Sequence, residues 1–248
     1  CSPYFYPTDS LILNAKGMEV KTVMMAGSNS AVNLGYTNDG KYIRIKLDKI
    51  YSRNEKYSVF IEYTDKTDEL HKGGSGAITS DKGLYFINAD GADANKPMQI
   101  WTQGETEASS CWFPTIDRPN ERMTQEIYMT VEKKYVTLSN GNLISSKENP
   151  DGTRTDYWKQ DLPAAPYLTM MAVGEYAIVK DKWKRSNGKE MEVPYYVEKE
   201  YEPYAKAIFG NTPEMLSFFS KVLGEEYVWE KFAQIPVRDY VSGAMENT

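Results

Sequence analysis

The sequence predicts a mainly β protein whose first part is a saddle-like antiparallel β-sandwich, and three observations carry that expectation. Short runs of alternating apolar and polar residues, bounded by Asn, Asp and Gly, recur through roughly the first 200 residues. Aromatic residues make up 13% of the 248, with 19 tyrosines and 8 phenylalanines, a mix suited to half-buried sheet surfaces. Only beyond about residue 200 does the period change from two to that of a helix. At 41% hydrophobic, the chain can bury a core of its own, in one large or two smaller domains.

Tyr42 to Leu47 alternates apolar and charged residues, as a strand with one wet face does, and Asn38-Asp39-Gly40 before it supplies a hairpin turn. Tyr57 to Tyr63 and Gln125 to Val131 repeat the pattern. Ser139-Asn140-Gly141-Asn142 is a turn between Lys134–Leu138 and Leu143–Ser146, and Asn149-Pro150-Asp151-Gly152 precedes a strand over Thr153–Gln160. Strands this short and this regularly spaced pack as antiparallel sheets.

Asn211-Thr212-Pro213-Glu214 marks a helix start, with Thr212 as N-cap, Pro213 in the first turn and Glu214 near the positive end of the dipole. Met215, Phe218, Phe219 and Val222 follow at helical spacing, and Gly224 ends the run. The pattern therefore divides the chain into a β domain over 1–202 and the beginning of a second domain over 203–248.

A net charge of -6 argues against a nucleic-acid surface, and the basic run Lys180–Arg185 reads as a solvated hairpin. Two cysteines, Cys1 and Cys111, form no disulfide framework. No apolar run reaches the ~20 residues of a membrane span, and no signal peptide opens the chain. Cytoplasm and periplasm both stay open. Gly73-Gly74-Ser75-Gly76 lacks the Lys-Ser/Thr ending of a phosphate loop and reads as an ordinary loop. The single histidine, His71, sits between Leu70 and Lys72 and reads as a surface residue, so no familiar metal spacing can be assembled.

Two stretches are left. One is Thr102-Gln103-Gly104-Glu105 followed by Cys111-Trp112-Phe113-Pro114-Thr115-Ile116-Asp117-Arg118-Pro119. The other is Gly243-Ala244-Met245-Glu246-Asn247. By periodicity each is a loop or strand end. Together and in this order they resemble the aminopeptidase N family of zinc exopeptidases, which carries a Gly-Ala-Met-Glu-Asn motif and, upstream, Thr-Gln-X-Glu followed by Phe-Pro-X-X-Asp-X-Pro. Tyr167–Tyr176 resembles a strand near the end of that family's first domain. Asp117-Arg118-Pro119 departs from the common Asp-Glu-Pro, a variation associated with a bacterial branch, and Gly104 replaces a bulkier residue.

The resemblance implies a zinc-dependent aminopeptidase acting on peptides with a free N-terminus. Its zinc would come from a His-Glu-X-X-His helix of a thermolysin-like α+β domain, beyond residue 248. The 248 residues are then expected to hold no catalytic residue, to bind no zinc and to be inactive alone. Cys1-Ser2-Pro3, which also suits a lipid-modified mature end, would lie inside the first domain with its leading strands missing.

By the same resemblance Glu105 and Glu246 receive the substrate's α-ammonium, with Gln103 in the same pocket. Gly243, Ala244 and Met245 would bond the substrate backbone, and Asn247 completes the motif. Two carboxylates suit that task because each charge-assisted hydrogen bond to an ammonium is worth about 1.5–3 kcal/mol. Their like charges repel without a cation between them. Two alternatives remain: a non-catalytic β-sandwich binding module, and an epoxide-hydrolase branch. The latter is disfavoured because that branch has Gln where this chain has Glu105.

Overall fold

A computed structural model describes residues 1–27, 32–70 and 73–247. His71, and the surface role expected of it, lie outside the described residues. The chain is mostly antiparallel β and clusters into two compact units, 1–84 with 103–121, and 85–102 with 122–248.

The first unit holds β1 (Thr8–Asn14), β2 (Met18–Ala26), β3 (Val32–Asn33), β4 (Tyr36–Asn38), β5 (Tyr42–Tyr51) and β6 (Ser58–Asp65). They form two three-stranded sheets, β1-β5-β4 and β3-β2-β6. In β5 the alternation works as expected: Ile43, Ile45 and Leu47 are buried while Arg44 and Lys46 between them are exposed. Val23 and Met25 of β2 join the same core, so each sheet contributes one apolar face to it. The Asn38–Gly40 turn closes the β4–β5 hairpin, with the Asp39 carboxylate accepting the amides of Lys41 and Tyr42 at 3.0 and 2.7 Å. Gly73 to Gly76 is a loop whose Gly73 amide donates to Asp81 Oδ1 at 2.9 Å.

The chain enters the second unit along β7 (Leu84–Ile87) and continues through β8 (Gln99–Thr102), β9 (Met123–Glu132), β10 (Val136–Ser139), β11 (Asn142–Glu148) and β12 (Thr153–Ala164). After these come β13 (Met171–Gly174), β14 (Tyr176–Val179), β15 (Lys182–Lys184), β16 (Glu190–Glu192) and β17 (Tyr195–Glu198). One sheet has the order β10-β13-β8-β7 and another β11-β12-β9, and two strand pairs complete the set, β14-β17 and β15-β16. Trp101, Leu138, Trp158 and Met170 form one core, and Trp183, Met191, Val193 and Tyr195 another.

The turn at 139–142 is not a hairpin: β10 and β11 belong to different sheets, and the turn carries the chain from one to the other. Gly141 has φ +69°, and a Cβ there would lie 1.9 Å from the Lys159 carbonyl oxygen, so only glycine fits. The basic run does form a hairpin, with Lys182 paired to Glu190 at 2.5 Å. It is less solvated than its charge suggests. Trp183 is buried, and Arg185 turns inward to donate to the carbonyls of Tyr227 and Trp229.

Helices α1 (Ala205–Phe209) and α2 (Thr212–Leu223) follow, and left-handed Gly224 ends α2 as the sequence predicts. One feature of α2 differs from expectation. Thr212 is its first helical residue, not its cap, and its hydroxyl lies 2.7 Å from both Phe209 O and Gln234 Oε1. The stripe of Met215, Phe218, Phe219 and Val222 is exposed, and Leu216 is the apolar residue that is buried. The reason lies in the neighbour: Trp183 donates from Nε1 to Ser217 Oγ at 2.9 Å and shares the Leu216 core, which fixes the inward face of the helix. Among the described residues no helix is long and apolar enough to cross a membrane.

Candidate functional site

Between Thr102 and Gln103 the chain passes from the second unit into the first, so the upstream motif is divided. Thr102 ends β8, where its Oγ1 accepts the Met171 amide at 3.0 Å. Gln103 is 1% exposed, donates its amide to Gly83 O at 2.9 Å, and accepts the Glu105 amide on Oε1. Its Nε2 is buried with no hydrogen-bond partner. Glu105 is half-buried and is followed by a cis peptide bond to Thr106.

The rest of the upstream motif is structural. Asp117 is buried and accepts the Ser110 amide at 2.8 Å, and burial holds its carboxyl above the usual range against that bond. Thr115 exchanges two backbone hydrogen bonds with Asn14 of β1, at 2.7 and 3.0 Å. Burial pushes the Cys111 thiol up to about 12, which leaves it a packing residue and not a nucleophile.

The downstream motif lies in the second unit. After α2, residues 231–234 run extended and parallel to the stretch leading into β17: Phe232 N donates to Glu192 O at 3.0 Å, and Tyr196 N to Gln234 O at 2.8 Å. The segment then crosses Trp101, whose indole donates to Arg238 O at 3.1 Å and whose ring stands 5.1 Å from that of Tyr240. It ends in Gly243–Asn247, which has no regular secondary structure.

These last residues line a cleft of about 790 Å³ together with aromatic side chains such as Tyr167, Phe209, Phe232 and Tyr240. Glu246, Gly243 and Ala244 are exposed there, while Met245 and Asn247 are half-buried. A Cβ on Gly243 would meet nothing within 4 Å. Asn247 is anchored, its Nδ2 donating to Leu168 O at 3.0 Å.

Lys231 also lines the cleft, and sequence reasoning missed it. It is 6% exposed, with Nζ 2.5 Å from both Ser139 O and Gly141 O, and 5.1 Å from the centre of the Trp158 ring. Burial pushes its ammonium down to about 7, only partly opposed by the charges of Glu230 and Glu192. The one sequence signal is its place just before Phe232-Ala233 and Ile235-Pro236-Val237, an apolar stretch broken by Gln234. Among the described residues no group of three His, Cys, Asp or Glu side chains could hold a metal ion.

Residues 4–168 match the Peptidase M1 N-terminal domain. The chain belongs to the peptidase M1 family. Among its relatives, this M1 chain is 27% identical over 149 residues to aminopeptidase N of Caulobacter vibrioides, covering 59% of this chain and 17% of that protein. It is 24% identical over 156 residues to transcription initiation factor TFIID subunit 2 of Gallus gallus, covering 62% of this chain and 13% of that one. The matched stretch is thus under a fifth of either relative. The crystal structure of Legionella pneumophila aminopeptidase A in complex with aspartic acid has the same fold, with TM-score 0.78 and 20% identity over 97% of this chain and 26% of that one. The resemblance read from the motifs is therefore borne out at the level of family and fold.

Proposed function

We infer that this M1 chain supplies the amine-recognition part of a zinc-dependent aminopeptidase that releases N-terminal residues from peptides. Residues 1–202 form its N-terminal β domain, and 203–248 begin its catalytic domain. In this reading Glu246 and Glu105 are each carboxylate acceptors for a substrate's α-ammonium, Gln103 is a further substrate contact, and the backbone of Gly243–Met245 bonds the peptide as an added strand. The observation that carries this reading is the exposed carboxylate of Glu246 on the wall of an aromatic cleft, next to an anchored Asn247.

In such a setting a free amine is selected over an internal peptide bond, because only the amine brings a positive charge to the carboxylate. In this reading, which rests on the motif resemblance, the zinc of the parent enzyme would be held by a His-Glu-X-X-His helix that is not among these 248 residues, and the 248-residue chain alone would be inactive.

The test is hydrolysis of amino-acid p-nitroanilides and short peptides by the full-length protein with zinc supplied. Glu246→Gln and Glu105→Gln should each lower kcat/KM by about 10- to 150-fold, the equivalent of one charge-assisted hydrogen bond. A zinc-loaded full-length protein that releases no N-terminal residue would refute the reading. So, for the second half, would zinc-dependent release by the 248-residue chain. A binding module is the second reading, favoured by the likeness to a transcription initiation factor subunit, a protein not named as a peptidase. It predicts partner capture without hydrolysis.

A further inference from the structure

Lys231 is held by neutral groups: two carbonyl oxygens and the face of Trp158. A buried ammonium needs all its protons used, and two carbonyls with one aromatic face take three. Both carbonyls belong to the turn that moves the chain from β10 to β11. That turn packs closely, with Gly141 against the Lys159 carbonyl and no room there for a methyl group. Lys231 therefore satisfies two carbonyl acceptors at once.

From the turn, hydrogen bonds continue toward the motif. Ser139 Oγ donates to Met170 O at 2.7 Å, and Asn140 accepts the Met170 amide at 2.7 Å. Asn140 Nδ2 also donates to Leu168 O at 2.9 Å. Leu168 O is the same oxygen that receives Asn247 Nδ2 at 3.0 Å. An unbroken sequence of contacts thus runs from Lys231 through residues 139–141 and Leu168 to Asn247, and Asn247 is covalently next to Glu246.

We propose that Lys231 is a positioning residue for the Gly243–Asn247 segment: by fixing the Ser139–Gly141 turn it sets the Leu168 carbonyl, and thereby the anchor of Asn247 and the direction in which Glu246 is presented. Lys231 acts through the turn it holds. Its consequence for amine binding rests on the function proposed above, while its hold on Asn247 does not.

The experiment has two readouts. In the 15N-labelled 248-residue chain, Lys231→Met should move the Asn247 side-chain amide resonance toward its free position and speed its exchange with solvent by about 10-fold or more. The backbone amides of 244–247 should shift with it, while those of the β15–β16 hairpin stay in place. Asn140→Ala, which breaks the path without touching the buried cation, should give the same changes, and it decides the matter if Lys231→Met does not fold. Unmoved Asn247 resonances in a folded Lys231→Met or Asn140→Ala chain would overturn the proposal, since a purely structural lysine would lower the melting temperature and leave them alone.

In the full-length enzyme the same substitutions should raise KM by about 10-fold with little change in kcat, the pattern of lost substrate binding. An unmodified full-length protein without aminopeptidase activity would sink the functional reading only, leaving the resonances of Asn247 to judge the positioning.

Discussion

The guanidinium of Arg238 meets the carboxylate of Glu198 at two points, Nε at 2.7 Å and Nη2 at 2.6 Å. Gln99 closes the arrangement, donating from Nε2 to Glu198 at 3.1 Å and accepting the Arg238 amide at 2.9 Å. A strand of the four-stranded sheet, the end of β17 and the segment leading to Gly243 are tied in one place. Because the Arg238 side chain is 36% exposed, the pair is partly screened, and Arg238→Met should cost about 1–2 kcal/mol, read from the urea midpoint.

Asp156 should matter more. It is buried and accepts hydrogen bonds from Ser146 and Thr137 at 2.6 and 2.7 Å and from Arg154 at 2.8 Å. Burial pushes its carboxyl up, but the bonds from Arg154, Ser146 and Thr137 outweigh it, and the net direction is below 3.8. Asp156→Ala should cost about 3–5 kcal/mol, because it leaves a partly buried guanidinium without its carboxylate, on the carbonyls of Lys133 and Tyr135. A carboxyl depressed in the folded state gives stability that is present above its unfolded value of 3.8 and is lost as pH falls through the folded one. The gap in urea midpoint between the unmodified chain and Asp156→Asn should therefore close below that value.

Lys231 is shifted in the same direction, but in a higher pH window. Its folded value near 7 lies below the 10.5 of the unfolded chain, so between them the unfolded state binds more protons. Stability therefore rises with pH across that window. Relative to Lys231→Met, the unmodified chain should gain stability from pH 7 to pH 10, and a flat or falling difference in denaturation midpoint would contradict the burial of this ammonium.

Two glycines should behave differently. Gly141→Ala places a methyl group against the Lys159 carbonyl at a backbone angle that L residues avoid, and should cost at least about 2 kcal/mol. Gly243→Ala meets open space and should leave the melting temperature unchanged. In the proposed role, the added methyl would show only in peptide binding.

The exposed stripe of α2 gives a solubility prediction. Replacing Phe218 and Phe219 with Lys removes apolar surface that is 58% and 55% exposed, so stability should hold within about 0.5 kcal/mol and self-association by light scattering should fall.

The sequence shows some of this and hides the rest for physical reasons. Alternation in Tyr42–Leu47 reveals β5 because one face of that sheet is wet, and Gly224 reveals the end of α2 because a left-handed residue is needed there. The stripe on α2 shows that an apolar line exists, but period alone does not say what covers it, and Leu216 is the residue that Trp183 claims. The motif residues are legible only through the family. Lys231, Asn140 and Leu168 are not, since their bonds join backbone carbonyls to side chains far away in sequence, and no local pattern records such a pairing.

The clamp on the 139–141 turn also orders events in time. Its donor lies 92 and 90 residues downstream of the two carbonyls it serves. At about 5–20 residues per second, a ribosome makes that stretch in roughly 5–18 s, during which those oxygens lack this donor. The first unit has all its residues by 121, whereas the second waits for Lys231 before its central turn is closed. During synthesis the two halves of this chain therefore mature on different clocks, and the later one is the half a chaperone or protease has longer to meet.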